Sequence, residues 1–132
     1  MKTVTLGAAV LVLVFLAGCA SAPSKPVRSE FEDIPVPKGL ERQADRSTVI
    51  ESPTVKAARL VYRGRLEMDS LTVAMRSTLE ANGWRHVSST TSPHGVLQVY
   101  EKAGSSLEVR LWEGWYFTYV ELTASRALQP PK

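Results

Sequence analysis

Few residues in this sequence combine the types and the spacing that a catalytic or metal site needs. The two histidines, His86 and His94, have neither a cysteine nor a second histidine at zinc-ligand spacing. The chain contains no nucleophile elbow, phosphate-binding loop or dinucleotide-binding glycine motif. The sequence therefore predicts neither an enzyme nor a metal or cofactor site. An enzyme acting on cell-wall or lipid-like material is kept as the remote alternative, because scattered carboxylates can still meet in space.

The aromatic residues are concentrated in RLWEGWYFTYVEL, residues 110–122. A two-residue turn at Glu113 and Gly114 would place Trp112 opposite Trp115 and divide this stretch between the two faces of a hairpin. Six residues then share one face, which we predict to be the core: Leu107, Val109, Leu111, Tyr116, Val120 and Leu122. The opposite face carries Trp112, Trp115, Phe117 and Tyr119, with Glu108, Arg110 and Glu121 among them.

The stretches that flank this hairpin predict an α+β fold. Residues 55–66 alternate apolar and polar side chains as a strand does. The period then becomes helical, with Asp69 as the predicted N-cap, Met68 and Val73 as a hydrophobic staple, and Asn82 and Gly83 as the stop. Further strands are predicted at residues 84–89, 96–102, 106–112 and 115–123. The order is β-α-β-β-β-β, an antiparallel sheet of four to five strands with one helix packed on one face.

One helix cannot cover both faces of this sheet, and the bare face is predicted to be aromatic and rich in arginine. Arg59, Arg63 and Arg65 alternate with core positions on the first strand and so join the aromatic side. Such a face suits stacking, cation–π contacts and recognition of anionic or carbohydrate groups. The predicted partner-binding residues are Trp112, Trp115, Phe117, Tyr119, Arg110, Arg63 and Arg65.

Two other covers for the aromatic face are consistent with the sequence. The proline-containing residues 34–40, IPVPKGL, could fold back over the aromatic rings. Alternatively, two copies of the chain could bury these faces against each other, because a packed domain of only about 70 residues buries little apolar surface on its own.

The N-terminus has the pattern of an export signal. Lys2 precedes an apolar run at residues 4–16, which is shorter than the roughly 20 residues of a membrane-spanning helix. The tetrapeptide at residues 16–19, LAGC, resembles the lipobox of bacterial lipoproteins. That resemblance implies cleavage before Cys19, the single cysteine of the chain, and its modification with diacylglycerol and fatty acyl chains such as palmitate. The alternative is an ordinary signal peptide with an incidental cysteine.

Composition divides the chain into five segments. Residues 1–18 are the predicted signal peptide, 19–30 a flexible tether, 31–53 an extended arm containing prolines, 54–125 the α+β domain and 126–132 a disordered tail. The formal net charge of +3 is too small to indicate a nucleic-acid-binding protein.

Ala20 follows the lipobox cysteine, which in lipoproteins of the enterobacterial kind implies transfer to the outer membrane.

The chain after the signal peptide is similar to a group of small uncharacterised bacterial envelope lipoproteins. They share the motifs IPVP-x-G, RLVYRG and NGW, which occur here at residues 34–39, 59–64 and 82–84. We therefore expect a lipid-anchored binding or assembly module on the outer membrane, facing the periplasm, with an envelope protein or an anionic or glycan partner. A structural subunit of an envelope oligomer, including a homodimer, is the alternative.

Overall fold

The computed structural model describes Phe31 and residues 34–128, and it confirms the α+β fold with an antiparallel sheet and one helix. Two short strands in the predicted arm precede the five predicted strands. In chain order the elements are β1 (Glu41–Arg42), a 3-10 turn (Ala44–Arg46), β2 (Thr48–Glu51), β3 (Val55–Gly64), α1 (Met68–Ala81), β4 (Arg85–Ser92), β5 (Gly95–Lys102), β6 (Ser105–Glu113) and β7 (Thr118–Ala127).

The strand order brings the two ends of the domain together in the middle of the sheet. That order is β1-β3-β7-β6-β5-β4, with β2 also paired to β3. Helix α1 connects β3 to β4 at the far edge, and three hairpins then lead back until β7 pairs along the whole of β3. This pairing sets Arg63 opposite Tyr119, so the arginine-bearing strand lies directly beside the aromatic one.

The core lies between the sheet and α1. Leu71, Met75 and Leu79 form the buried stripe of the helix, as their spacing of four residues predicts. They pack on the inner face of the sheet, where alternate strand residues are buried: Ala58, Leu60, Tyr62, Tyr100, Leu107, Val109, Leu111, Val120, Leu122 and Ala124. The face away from α1, called the outer face below, includes Arg59, Arg63, Arg110, Trp112, Tyr119 and Glu121.

The predicted cap of α1 was wrong by two residues. Glu67 is the N-cap, and its carboxylate accepts hydrogen bonds from the backbone N–H groups of Asp69 and Ser70 at 2.8 and 2.7 Å. Hydrogen bonding from the Ser70 side chain, together with these backbone bonds, stabilises the charged carboxylate and lowers the pKa of Glu67. The staple positions consequently move to Leu66 and Leu71, which both pack in the core, while Val73 is exposed.

The first part of the arm, up to residue 40, packs on the helix side of the sheet rather than over the aromatic rings. Phe31 and Ile34 are buried in the core cluster, and Val36 and Leu40 pack against it. The Gly39 carbonyl lies so close to Gly64 that a side chain at residue 64 would overlap it. The hypothesis that residues 34–40 cover the aromatic face is therefore wrong.

The hairpin between β6 and β7 also differs from the prediction. Residues 114–117 form a four-residue loop, closed by a 2.7 Å hydrogen bond from the Gly114 N–H to the Phe117 carbonyl. The predicted two-residue turn would force Glu113 into a left-handed conformation, which disfavours a side chain there. Trp112 instead pairs with Tyr119, four residues further along than predicted.

This shift in pairing has a different effect on the strand residues and on the loop residues. Because the shift is an even number, Leu111 and Val120 stay on the inner face, and Trp112 and Tyr119 stay on the outer face. Tyr116, predicted in the core, lies in the loop instead and is 73% exposed. Trp115 likewise leaves the sheet face.

Candidate functional site

The outer face carries a connected group of aromatic rings. Trp112 and Tyr119 are cross-strand partners whose rings stack at a centroid distance of 5.4 Å and an angle of 11°. Phe117 meets Tyr119 edge to face, with centroids 6.5 Å apart and an angle of 73°. These three residues were predicted to share a face, and the structure brings them together at one end of β6 and β7.

Arginine side chains pack over these rings. The Arg63 guanidinium lies 4.6 Å from the centroid of Phe117, and that of Arg65 lies 5.6 Å from the same ring. Arg46, in the 3-10 turn, lies 5.4 Å from the centroid of Tyr119. Cation–π contacts hold a guanidinium against a ring without neutralising its charge. The aromatic group therefore presents positive charge.

Acidic side chains neutralise only part of this charge. Glu121 accepts from Nε and Nη2 of Arg59 at 3.0 and 2.6 Å, and this pairing raises the pKa of Arg59. Among the described residues, no carboxylate forms an ion pair with the remaining four arginines of this side, which are Arg46, Arg63, Arg65 and Arg110. The Nε of Arg63 is also buried without a hydrogen-bond acceptor within that part of the chain.

A shallow trough crosses the outer face beside this group. It consists of two adjoining hollows with volumes of 340 and 390 Å³. Both are lined by His94, Arg110 and Glu121. The first hollow also has Arg46, Arg59 and Trp112 in its wall, and the second has Thr90, Ser92, Glu108 and Thr123. The trough thus combines guanidinium groups, two carboxylates, hydroxyl groups, one imidazole and one indole ring.

Arg46 and His94 are among the trough residues that sequence reasoning missed. The alternation of β3 and β6 identified Arg63 and Arg110, but Arg46 reaches the face from a turn that no periodic pattern placed. His94 was interpreted as an ordinary turn histidine, and the β4–β5 turn carries it to the trough. The position of Arg46 depends on the path of the arm around the edge of β3, where the Gln43 N–H donates to the Val61 carbonyl at 2.8 Å.

Trp115 and Tyr116 stand apart from the outer face at the tip of the loop. Trp115 is 91% exposed, and its ring meets that of Tyr116 edge to face at a centroid distance of 6.3 Å. Trp115 was predicted to share the binding face with Trp112. The structure instead places these two tryptophans in separate surroundings.

The described residues contain neither a metal-binding cluster nor a membrane-spanning helix. No group of three or more His, Cys, Asp or Glu side chains within them could hold a metal ion. In the same part of the chain, no helix has both the length and the apolar character that crossing a membrane requires. Cys19 lies outside the described residues.

Comparison with known proteins adds no relative to this description. No protein-family model, curated protein or solved structure matches the chain.

Proposed function

We propose that this chain is a lipid-anchored lipoprotein of the cell envelope that acts as a small, non-enzymatic binding module in the periplasm. The lipobox-like LAGC ending at Cys19 supports the anchor. The outer face supports the binding role, because its aromatic and guanidinium groups lie on the side of the sheet that α1 leaves uncovered.

The single observation that carries the binding role is the set of four arginines without a carboxylate partner in the described residues. Three of them pack over the aromatic rings, and Arg110 lines the trough beside Trp112. Guanidinium groups pair well with carboxylates and phosphates, and indole and phenol rings stack on the apolar faces of sugars. The chemistry therefore favours an anionic envelope partner, and an acidic glycan fits both features.

The anchor can be tested by labelling cells with a fatty acid analogue and comparing wild type with Cys19→Ser. The wild-type chain should carry the label and partition into detergent, and the variant should do neither. Equal labelling of both chains would contradict lipidation at Cys19.

The binding face can be tested in cells by photo-crosslinking from position 110. A photoreactive residue replacing Arg110 should form adducts, and one replacing Arg76, which is exposed on α1, should not. Equal adducts from both positions, or none from position 110, would contradict the proposal. An adduct with a second copy of the chain would instead support the structural-subunit alternative.

A further inference from the structure

The loop at residues 114–117 carries an exposed aromatic pair that the proposed binding face does not use. Trp115 is 91% exposed and Tyr116 is 73% exposed, the largest fractions among the exposed large apolar side chains of the described residues. Their edge-to-face packing makes them one protruding unit. Exposing such a pair to water is unfavourable, so a surface that removes it from water would stabilise this loop.

The chemistry of the pair fits a lipid headgroup layer. Trp and Tyr rings are amphipathic and concentrate at membrane–water interfaces, where the ring is partly dehydrated and its N–H or O–H still meets polar groups. Arg65 lines the hollow beside the tip together with Trp115, Tyr116 and Phe117, so its guanidinium can meet a lipid phosphate. Glu113 lines the same hollow, so the local charge is balanced and the aromatic rings provide most of the attraction.

Gly39 of the arm lies at the same end of the sheet as this loop. Gly64, the last residue of β3, pairs with Thr118, where β7 begins directly after the loop. The Gly39 carbonyl packs against Gly64. The predicted tether of residues 19–30, at about 5–6 Å × √n for a flexible chain, would hold the domain within roughly 20 Å of an acyl group on Cys19. The loop is therefore within reach of an anchoring bilayer.

We infer that Trp115 and Tyr116 insert into the headgroup layer of the membrane to which Cys19 anchors the chain. The inference rests on the lipid anchor of the proposed function and not on the outer face as a binding surface. An anchored domain meets the bilayer at a high effective concentration, so a contact too weak to recruit a free domain is enough to orient a tethered one.

The test uses the full lipidated chain in vesicles of phosphatidylethanolamine and phosphatidylglycerol, with and without brominated acyl chains. The difference in tryptophan emission between wild type and Trp115→Phe isolates the signal of Trp115 from those of Trp84 and Trp112. We expect brominated lipid to quench most of the Trp115 signal and aqueous acrylamide to quench little of it.

A matched control is Ile50→Ser, which removes another exposed apolar side chain. Ile50 pairs with Ala57, seven residues along β3 from Gly64, and so lies near the opposite end of the sheet. This variant should leave the quenching of Trp115 unchanged. If Ile50→Ser abolished the quenching of Trp115 by brominated lipid, the assignment of the contact to the loop would be overturned.

Two results would overturn the inference while leaving the anchor intact. In one, Trp115 is quenched by acrylamide and not by brominated lipid, so the tip stays in water. In the other, neither agent quenches Trp115, so a second copy or another part of the protein covers it. Mass spectrometry of the peptide containing Cys19, made on the same sample, identifies failure of the anchor itself, because an unmodified Cys19 overturns both proposals.

Discussion

The three tryptophans have three different surroundings, although two of them lie three positions apart. Trp84 is buried beneath the helix end at 6% exposure, Trp112 is half-buried and stacked on Tyr119, and Trp115 is 91% exposed. Burial of apolar area and ring stacking both stabilise a fold, so the cost of removing each ring should follow this order.

Truncation of the tryptophans should therefore give graded losses of stability. We expect Trp84→Ala to lower the free energy of unfolding by about 3–5 kcal/mol. Trp112→Ala should lower it by about 1–2 kcal/mol, through the stack with Tyr119. Trp115→Ala should change it by less than about 0.5 kcal/mol. Urea unfolding measures all three, and a large loss in Trp115→Ala would show that the loop tip is covered within the folded protein.

Tyr100 should make the free energy of unfolding depend on pH. Its hydroxyl donates to Gln98 Oε1 at 2.9 Å, and Gln98 Nε2 donates to the Thr72 carbonyl on α1. Burial raises the pKa of Tyr100 to about 12. The stabilisation from a raised pKa is complete below the unfolded-state pKa of about 10 and is lost as the pH rises through 12, because the unfolded chain ionises first.

The free energy of unfolding should thus fall between pH 10 and pH 12, and it should fall less steeply in Tyr100→Phe. Below pH 10 the variant should be the less stable protein, because Gln98 loses its donor. Denaturation curves at several alkaline pH values test this. Parallel pH profiles for the two proteins would show that Tyr100 ionises equally in the folded and unfolded chains.

Among the elements, periodic segments were predictable and local connections were not. The helix stripe of Leu71, Met75 and Leu79 follows directly from spacing, because a buried helix face leaves a regular pattern. The N-cap was predicted at Asp69 and lies at Glu67, since two neighbouring carboxylates satisfy the same pattern and only geometry selects one. The path of the arm left no periodic signal at all, because contacts such as Gly39 with Gly64 join residues distant in sequence.

Gly64 is the position where the packing of the arm most directly requires a residue without a side chain. Its substitution Gly64→Ala would push the new methyl group into the Gly39 carbonyl, and we expect a loss of about 1–3 kcal/mol. Hydrogen exchange should accelerate in residues 40–47, which follow the displaced arm. The neighbouring Arg65→Ala serves as the control, because Arg65 is exposed. Unchanged exchange in Gly64→Ala would contradict a close fit of the arm.

Considered as a whole molecule, the protein has two unlike surfaces on either side of one sheet. The inner face is buried under α1, Phe31 and Ile34, so its residues form the core of the fold. The outer face keeps its aromatic rings, its arginines and the trough. The sequence predicted which strand residues share that face through their alternation, and it could not predict the trough, because His94 and Arg46 reach it from turns.

The proposed binding role requires the positive charge of the outer face to attract the partner. The most direct measurement is the affinity of the full chain, in detergent, for polygalacturonate, with dextran as the neutral polymer. We predict binding to polygalacturonate alone that weakens with added salt, because exposed charges are screened. Arg110→Glu should weaken it by about tenfold or more, equivalent to about 1.4 kcal/mol, whereas Arg76→Glu on the exposed side of α1 should leave it unchanged. Absence of binding, or equal weakening by both substitutions, would contradict an anionic partner on the outer face.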